Sequence, residues 1–362
     1  MNKKIHADMP LENQLAEIAL EIGFDIRKKI NSTPSDILCS TGTSKFKGPG
    51  AKNADILGEE LTIDKLTKYS NLLPYQIIVI LDPANKAFLQ IGKNSDKKIW
   101  TYADSVDGTI KLAGLGNEMS DSKSIYRLGN DGVWGAGLSF TRPTTKNFED
   151  LTIGDFEISA IVDGNPSRWP SAPTNAYTKL ESNVFKTYER AESSMNQPAY
   201  NGKDRQLHAS TQKKISQGVI NFSDFQGFDR KTRTPGTEEF GFALREILAD
   251  RNEKGAFDIW NMYGTFGSIL RNMINYGPIN DKSSYEPQGI ANIWLNDALS
   301  NTIPPYAIVK GSGGFVTNEE GIDVGTLKLV SGRPHVFYSA NEDVKNYLVE
   351  CAKDVRYNLK LK

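Results

Sequence analysis

Cysteine is nearly absent: Cys39 and Cys351 are the only two among 362 residues. No disulfide framework and no thiolate zinc site is implied. Histidine is almost as scarce. His6, His208 and His335 stand far apart and make no zinc-type spacing, so oxygen-ligand chemistry is favoured by elimination. Long apolar runs are missing. The longest spans residues 77–81, far short of the roughly 20 needed to cross a bilayer. Lys3 and Lys4 are followed by no apolar stretch of the kind a secretory signal carries, so a soluble cytoplasmic protein is expected. An excess of one charge is also lacking. Lys and Arg number 43 against 44 Asp and Glu, for a net charge of −1. With no basic stripe and no acidic tail, neither a nucleic acid nor a membrane surface is expected as partner.

What is present suits a substantial core. The hydrophobic fraction is 38%, and the length fits two intimately packed domains or one large one. The expected division is 1–150, an N-terminal α+β half, and 151–362, a C-terminal half with an α/β layer. Leu11, Leu15, Ile18, Ala19 and Ile22 recur at helical spacing, which predicts a helix over 10–30. Residues 41–54 are rich in Gly, Ser, Thr and Lys without a period and read as a loop. Residues 76–81 and 87–91 read as a hairpin, and 98–103 as a strand. Residues 134–141 and 156–162 alternate like antiparallel strands. Residues 167–214, dominated by Ser, Pro, Asn, Lys and Tyr, read as a polar surface insertion. A strand is predicted over 218–222, helices over 236–249 and 306–311, a strand over 335–339, and a helix over 342–355 with Asn341 as its N-cap.

The chemistry concentrates in Asp104-Ser105-Val106-Asp107-Gly108-Thr109, with Gly58-Glu59-Glu60 upstream. Carboxylates at this spacing suit a hard divalent cation, which takes oxygen ligands and is often held by one or two carboxylates plus a substrate phosphate. Gly108 lets the backbone approach an anion closely. By itself Asp-x-x-Asp-Gly is a common turn, and adjacent acids such as Glu59 and Glu60 are usually a solvated face. The ordered set along the chain changes that balance.

That set resembles the inositol monophosphatase superfamily, the Mg²⁺-dependent sugar and polyol phosphatases that include fructose bisphosphatase. Gly58-Glu59-Glu60 is similar to the family's Gly-Glu-Glu. The Asp104 hexapeptide resembles its Asp-Pro-(Ile/Leu)-Asp-Gly-Thr. Gly264-Thr265-Phe266-Gly267-Ser268 resembles a helix start, and Ser312-Gly313-Gly314-Phe315-Val316-Thr317 its Ala-Gly-Gly-x-Val-Thr. Ser331-Gly332-Arg333 and residues 336–341 resemble its last strand and helix start. The resemblance implies a layered αβαβα sandwich of α/β (α+β) type. It implies that Glu59, Asp104, Asp107 and the Val106 carbonyl ligate two or three Mg²⁺ ions, with Mn²⁺ as a substitute. Gly108 and Thr109 would receive the phosphate, Thr109 also ordering water. The implied reaction is hydrolysis of a phosphate monoester on a small sugar, polyol or related metabolite by metal-activated water. A homodimer is the assembly the resemblance suggests.

The chain departs from the family at several places. Where the family has one more metal-ligating acid before Ala-Gly-Gly, counting back from Gly313 reaches Asn301, with Asp297 one helical turn upstream as the alternative ligand. Pro304 and Pro305 fit the first turn of a helix. Gly42 occupies the place of an Asp that helps activate water, and Ser40, Thr41 and Thr43 cannot accept a proton near neutral pH. Ser105 replaces the usual Pro. Two insertions are added: residues 61–103 with their hairpin, in which Asp82-Pro83 reads as a turn, and 167–214. Gly42 and Asn301 motivate an alternative from another class: an impaired relative that binds a phosphorylated metabolite or a protein partner without turnover. His335 reads as a packed histidine, Trp260, Trp294 and Phe266 as core, and Lys45, Lys47 and Lys52 as a solvated loop. Ser223 and Asp224 read equally as a strand-end turn or as substrate hydroxyl ligands.

Overall fold

The computed structural model describes residues 9–34, 37–38, 40–44, 48–82, 86–107, 134–164, 173–190, 204–210, 215, 218–222, 237–251, 258–260, 265–275 and 289–359, with the backbone alone at some positions, Asp82 and Asp107 among them. Helix α1 (Leu11–Asn31) forms as its spacing predicts and buries Leu15, Ile18, Ala19, Ile22 and Ile26. The stretch read as a loop is instead a hairpin, β1 (Thr41–Ser44) against β2 (Gly48–Lys52), followed by α2 (Asn53–Ser70). Helix α2 escapes an apolar-period search because its buried face is polar: Asp55, Glu59 and Thr62 point inward beside Ala54 and Leu66.

Strands β3 (Gln76–Asp82), β4 (Ala87–Ile91), β5 (Lys98–Asp107), β6 (Gly135–Phe140), β7 (Ile158–Asp163), β8 (Asn175–Glu181), β9 (Val184–Glu189) and β10 (Arg205–Gln206) build one sheet in the order β10-β9-β8-β7-β6-β5-β3-β4. Only β3 and β5 run parallel in it. The sheet thus draws strands from both sides of residue 150. It also corrects the reading of 167–214 as a surface insertion: within that segment β8 and β9 are interior strands. Their polar side chains are absorbed by hydrogen bonds. Thr178 Oγ1 accepts from the Ser159 N–H at 2.8 Å, and Thr187 Oγ1 donates to the Ile308 carbonyl at 2.6 Å. Composition looks like a loop there because, Ala176 aside, the buried positions are filled by Thr, Asn, Tyr and Glu rather than aliphatics.

The second half adds β11 (His208–Ala209), β12 (Val219–Phe222), α3 (Thr237–Asp250), β13 (Asp258–Trp260), α4 (Thr265–Asn272), β14 (Ile274–Asn275), β15 (Gly289–Trp294), α5 (Leu299–Gly311), β16 (Phe315–Thr317), β17 (Val336–Ser339) and α6 (Glu342–Leu359). Its five-stranded sheet has the order β13-β12-β15-β17-β16. Asn341 caps α6 as expected, its Oδ1 accepting from the Val344 N–H at 3.0 Å.

The layers stack as α1/α2, large sheet, α4/α5, small sheet, α3/α6. One core lies between α1/α2 and the large sheet, a second holds α4 and α5 between the sheets, and a third seals α3 and α6 onto the small sheet. This is the αβαβα sandwich the motifs imply. Among the described residues no helix is long and apolar enough to cross a membrane.

Candidate active site

The Asp104 motif does not follow a strand; it lies on one. β5 pairs with β6 so that Asp104 faces Gly137 and Asp107 faces Gly135, which leaves a bulge over Ser105 and Val106. A bulge bends the strand and re-aims side chains. Here Asp104, Ser105 and Val106 all line one cavity of about 550 Å³. The small glycines of β6 leave room for Phe266 of α4, whose ring a Cβ at Gly137 would meet at 2.5 Å. The α4 layer thus closes against the back of the motif.

The facing wall comes from α2. Asp55 and Glu59 are one helical turn apart and share a face, and both line the cavity. Glu59 is 2% exposed, whereas Glu60 is exposed. The adjacent pair is therefore split, one acid inside and one in water, rather than a wholly solvated face. Ser44 of β1 donates its hydroxyl to Glu59 Oε2 and orients that carboxylate. Lys86 just before β4, Ser300 at the start of α5, and Arg333 add to the polar lining. Lys86 is also paired with Glu149 at 2.6 Å.

Glu59 and Asp104 are therefore brought to one cavity from separate elements, with Val106 beside them. Asp107 ends β5 next to that cavity with its backbone alone described. Gly108 and Thr109 lie outside the described residues, as do Lys45, Lys47, Ser223, Asp224 and Gly264. Asp55, Ser44, Lys86 and Ser300 were not singled out by sequence. Asp55 carried a usable signal, its i, i+4 spacing to Glu59, which becomes visible once residues 53–70 are known to be helical.

The second candidate pair sits at the start of α5. Asp297 Oδ1 accepts from the Ala298 N–H at 2.9 Å and from Asn301 Nδ2 at 3.3 Å, and Oδ2 accepts from Thr302 Oγ1 at 3.1 Å. Both oxygens thus anchor the helix start. Burial pushes the Asp297 carboxyl up to about 7, against the lowering effect of these donors and of Arg333. Because α5 begins at Leu299, Pro304 and Pro305 fall inside the helix, not in its first turn. Neither can donate an N–H, so the Ser300 and Asn301 carbonyls receive no helical bond from them.

The donor chemistry of the cavity fits a hard cation. Asp55, Glu59 and Asp104 are all carboxylates taken largely out of water, a placement that calls for nearby positive charge or hydrogen-bond donors. Mg²⁺ and Mn²⁺ favour such oxygens. Among the described residues no group of three or more His, Cys, Asp or Glu is disposed to hold an ion. His335, by contrast, is structural. Its Nδ1 accepts from the Asn296 N–H at 2.9 Å, its ring stacks on Phe240 at 5.3 Å, and burial pushes its pKa down. Trp294 and Phe266 are core residues, as read.

No family model matches the sequence, and no curated protein matches it significantly. Solved structures do. Fructose-1,6-bisphosphatase from Leishmania major in its holo form aligns at 13% identity and a TM-score of 0.59, over 97% of this chain and 96% of that one. The extragenic suppressor protein suhB from Bartonella henselae aligns at 12% identity and 0.57, over 94% and 98%. Inositol monophosphatase from Anabaena aligns at 9% identity and 0.51, over 94% and 95%. Identities this low speak to fold alone, but the match spans nearly the full length of each protein. The chain shares its layered fold with these solved structures of a fructose-1,6-bisphosphatase, a suhB protein and an inositol monophosphatase.

Proposed function

We propose that this chain is a metal-dependent phosphatase acting on a phosphate monoester of a small sugar, polyol or related metabolite. The observation that carries the proposal is the convergence of Glu59 and Asp104 on one cavity in this fold. Glu59 and Asp104 would hold Mg²⁺ or Mn²⁺, with Asp107 as the further ligand that the motif implies. When bound, the cation supplies positive charge that polarises the phosphoryl group, lowers the pKa of water and steadies the leaving oxygen. The protein's own part is positioning. Ser44 orients the Glu59 carboxylate. The bulge in β5 presents Asp104. Lys86 and Arg333 bring positive charge to the cavity lining, which favours entry of an anionic substrate. A volume of about 550 Å³ suits a small metabolite rather than a polymer.

Phosphate release from a panel of sugar and polyol phosphates with Mg²⁺ tests this. Glu59→Gln and Asp104→Asn are each expected to lower kcat/KM by more than the roughly tenfold to hundredfold typical of residues one shell further from a metal. Variants that keep wild-type rates would remove the site assignment.

Gly42 supports a second reading. A Cβ there would lie 2.7 Å from Ile56 Cδ1 and 3.4 Å from Asn53 Oδ1. Residue 42 is glycine, so the water-activating acid of the resembled family has no counterpart there. A binder without turnover would release no phosphate yet gain thermal stability from the phosphorylated ligand.

A further inference from the structure

Helix α2 and the motif strand β5 meet where neither has spare room. A Cβ at Gly58 would stand 2.8 Å from Ser105 Cβ, 3.1 Å from Val106 Cγ2 and 3.3 Å from the Ser105 carbonyl oxygen. One turn further along α2, the Thr62 and Ser105 hydroxyls lie 3.1 Å apart. Thr62 Oγ1 also donates to the Gly58 carbonyl at 2.8 Å. A hydroxyl has a single proton. With Thr62's committed to Gly58, Ser105 is the donor and Thr62 the acceptor. The chain of bonds runs Ser105 to Thr62 to Gly58, with Thr62 fully buried and Ser105 5% exposed. Glu59 lies within that turn of α2, and Asp104 immediately precedes Ser105.

We propose that Ser105 and Thr62 are positioning residues that fix α2 against β5, set the placement of Glu59 relative to Asp104, and so set the cavity's affinity for a divalent cation. A bulge interrupts the ladder and bends the strand, and the proline of the resembled motif is absent here. A buried hydroxyl pair supplies the restraint instead, and sub-ångström placement decides whether two carboxylates share an ion. The inference rests on the phosphatase proposal only in taking that ion to be the one the reaction uses.

The test is a Mn²⁺ titration of the full chain, read as free Mn²⁺ by electron paramagnetic resonance, alongside thermal unfolding in chelator. Ser105→Ala and Thr62→Val are each expected to weaken Mn²⁺ binding about tenfold. Thr62→Val breaks the bond to Ser105 and the one to Gly58, whereas Ser105→Ala breaks only the shared bond, so the double variant should lose no more than Thr62→Val alone, and Thr62→Ser should keep the wild-type value. Unaltered Mn²⁺ affinity with lowered thermal stability would make the bond merely structural and overturn the proposal. So would additive losses, or a wild-type chain that takes up no Mn²⁺. Phosphate release from the same proteins separates the two claims. Predicted Mn²⁺ shifts without any release retain the positioning role and remove the phosphatase. Release with unshifted Mn²⁺ affinity does the reverse.

Discussion

At the scale of single residues, the site is defined by which acids go inside. Glu59 and Glu60 are identical in kind and adjacent, yet only Glu59 is buried. The difference follows from helical rotation, since about 100° separates neighbours. Gly58 shows the same economy of space. Glycine inside a helix is usually less stable than alanine by up to about 1 kcal/mol, but here the missing Cβ lets α2 approach β5. Gly58→Ala should therefore lower stability by about 1–3 kcal/mol, the usual cost of overpacking, where an ordinary helix glycine would gain. Denaturant unfolding of the variant measures this, and a stabilised variant would show that the two elements are less tightly apposed. Asp104 and Glu59 were legible from motif order. Asp55 and Ser44 were not, because neither belongs to a motif and their relevance comes from folding onto Glu59.

At the scale of elements, legibility tracked how apolar the buried face is. Helix α1 was readable from its helical spacing and β3 from its short β-branched run, because both bury aliphatic side chains. Helix α2 buries Asp55, Glu59 and Thr62, and strands β8 and β9 bury Thr178 and Thr187, so composition pointed to loop or insertion. The buried polar surface of α2 is the surface that lines the cavity, and the helix is hidden from an apolar-period search for that reason. Helix α5 adds a titratable anchor. An unfolded Asp titrates near 4, whereas Asp297 in the folded chain holds its proton to about 7. The folded state binds more protons between those values, so this group makes stability fall as pH rises from about 4 to about 7 and then level off. Asp297→Asn should flatten that decline. Relative to wild type, the variant is expected to gain a few kcal/mol between pH 4 and pH 8, at about 1.4 kcal/mol per unit of separation. Denaturant unfolding across that range checks the sign, and an unchanged slope would place the titration elsewhere.

At the scale of the whole molecule, five layers put the cavity where α2, the bulge of β5 and the start of α5 converge. The resemblance of the ordered motifs to a known superfamily was enough to expect that architecture. Strands β8 and β9 were missed although a two-residue turn at Ser182 and Asn183 joins them locally, because most of their buried positions are polar or Tyr. The central claim is that the carboxylates gathered in this cavity serve a divalent cation in phosphate ester hydrolysis. Its most direct measurement is inorganic phosphate released from a panel of sugar and polyol phosphates by wild type and Asp104→Asn, with Mg²⁺ and with excess chelator. The account predicts turnover of at least one substrate by wild type with Mg²⁺, lost both on chelation and on substitution. Turnover that survives both treatments, or none under any condition, would contradict it.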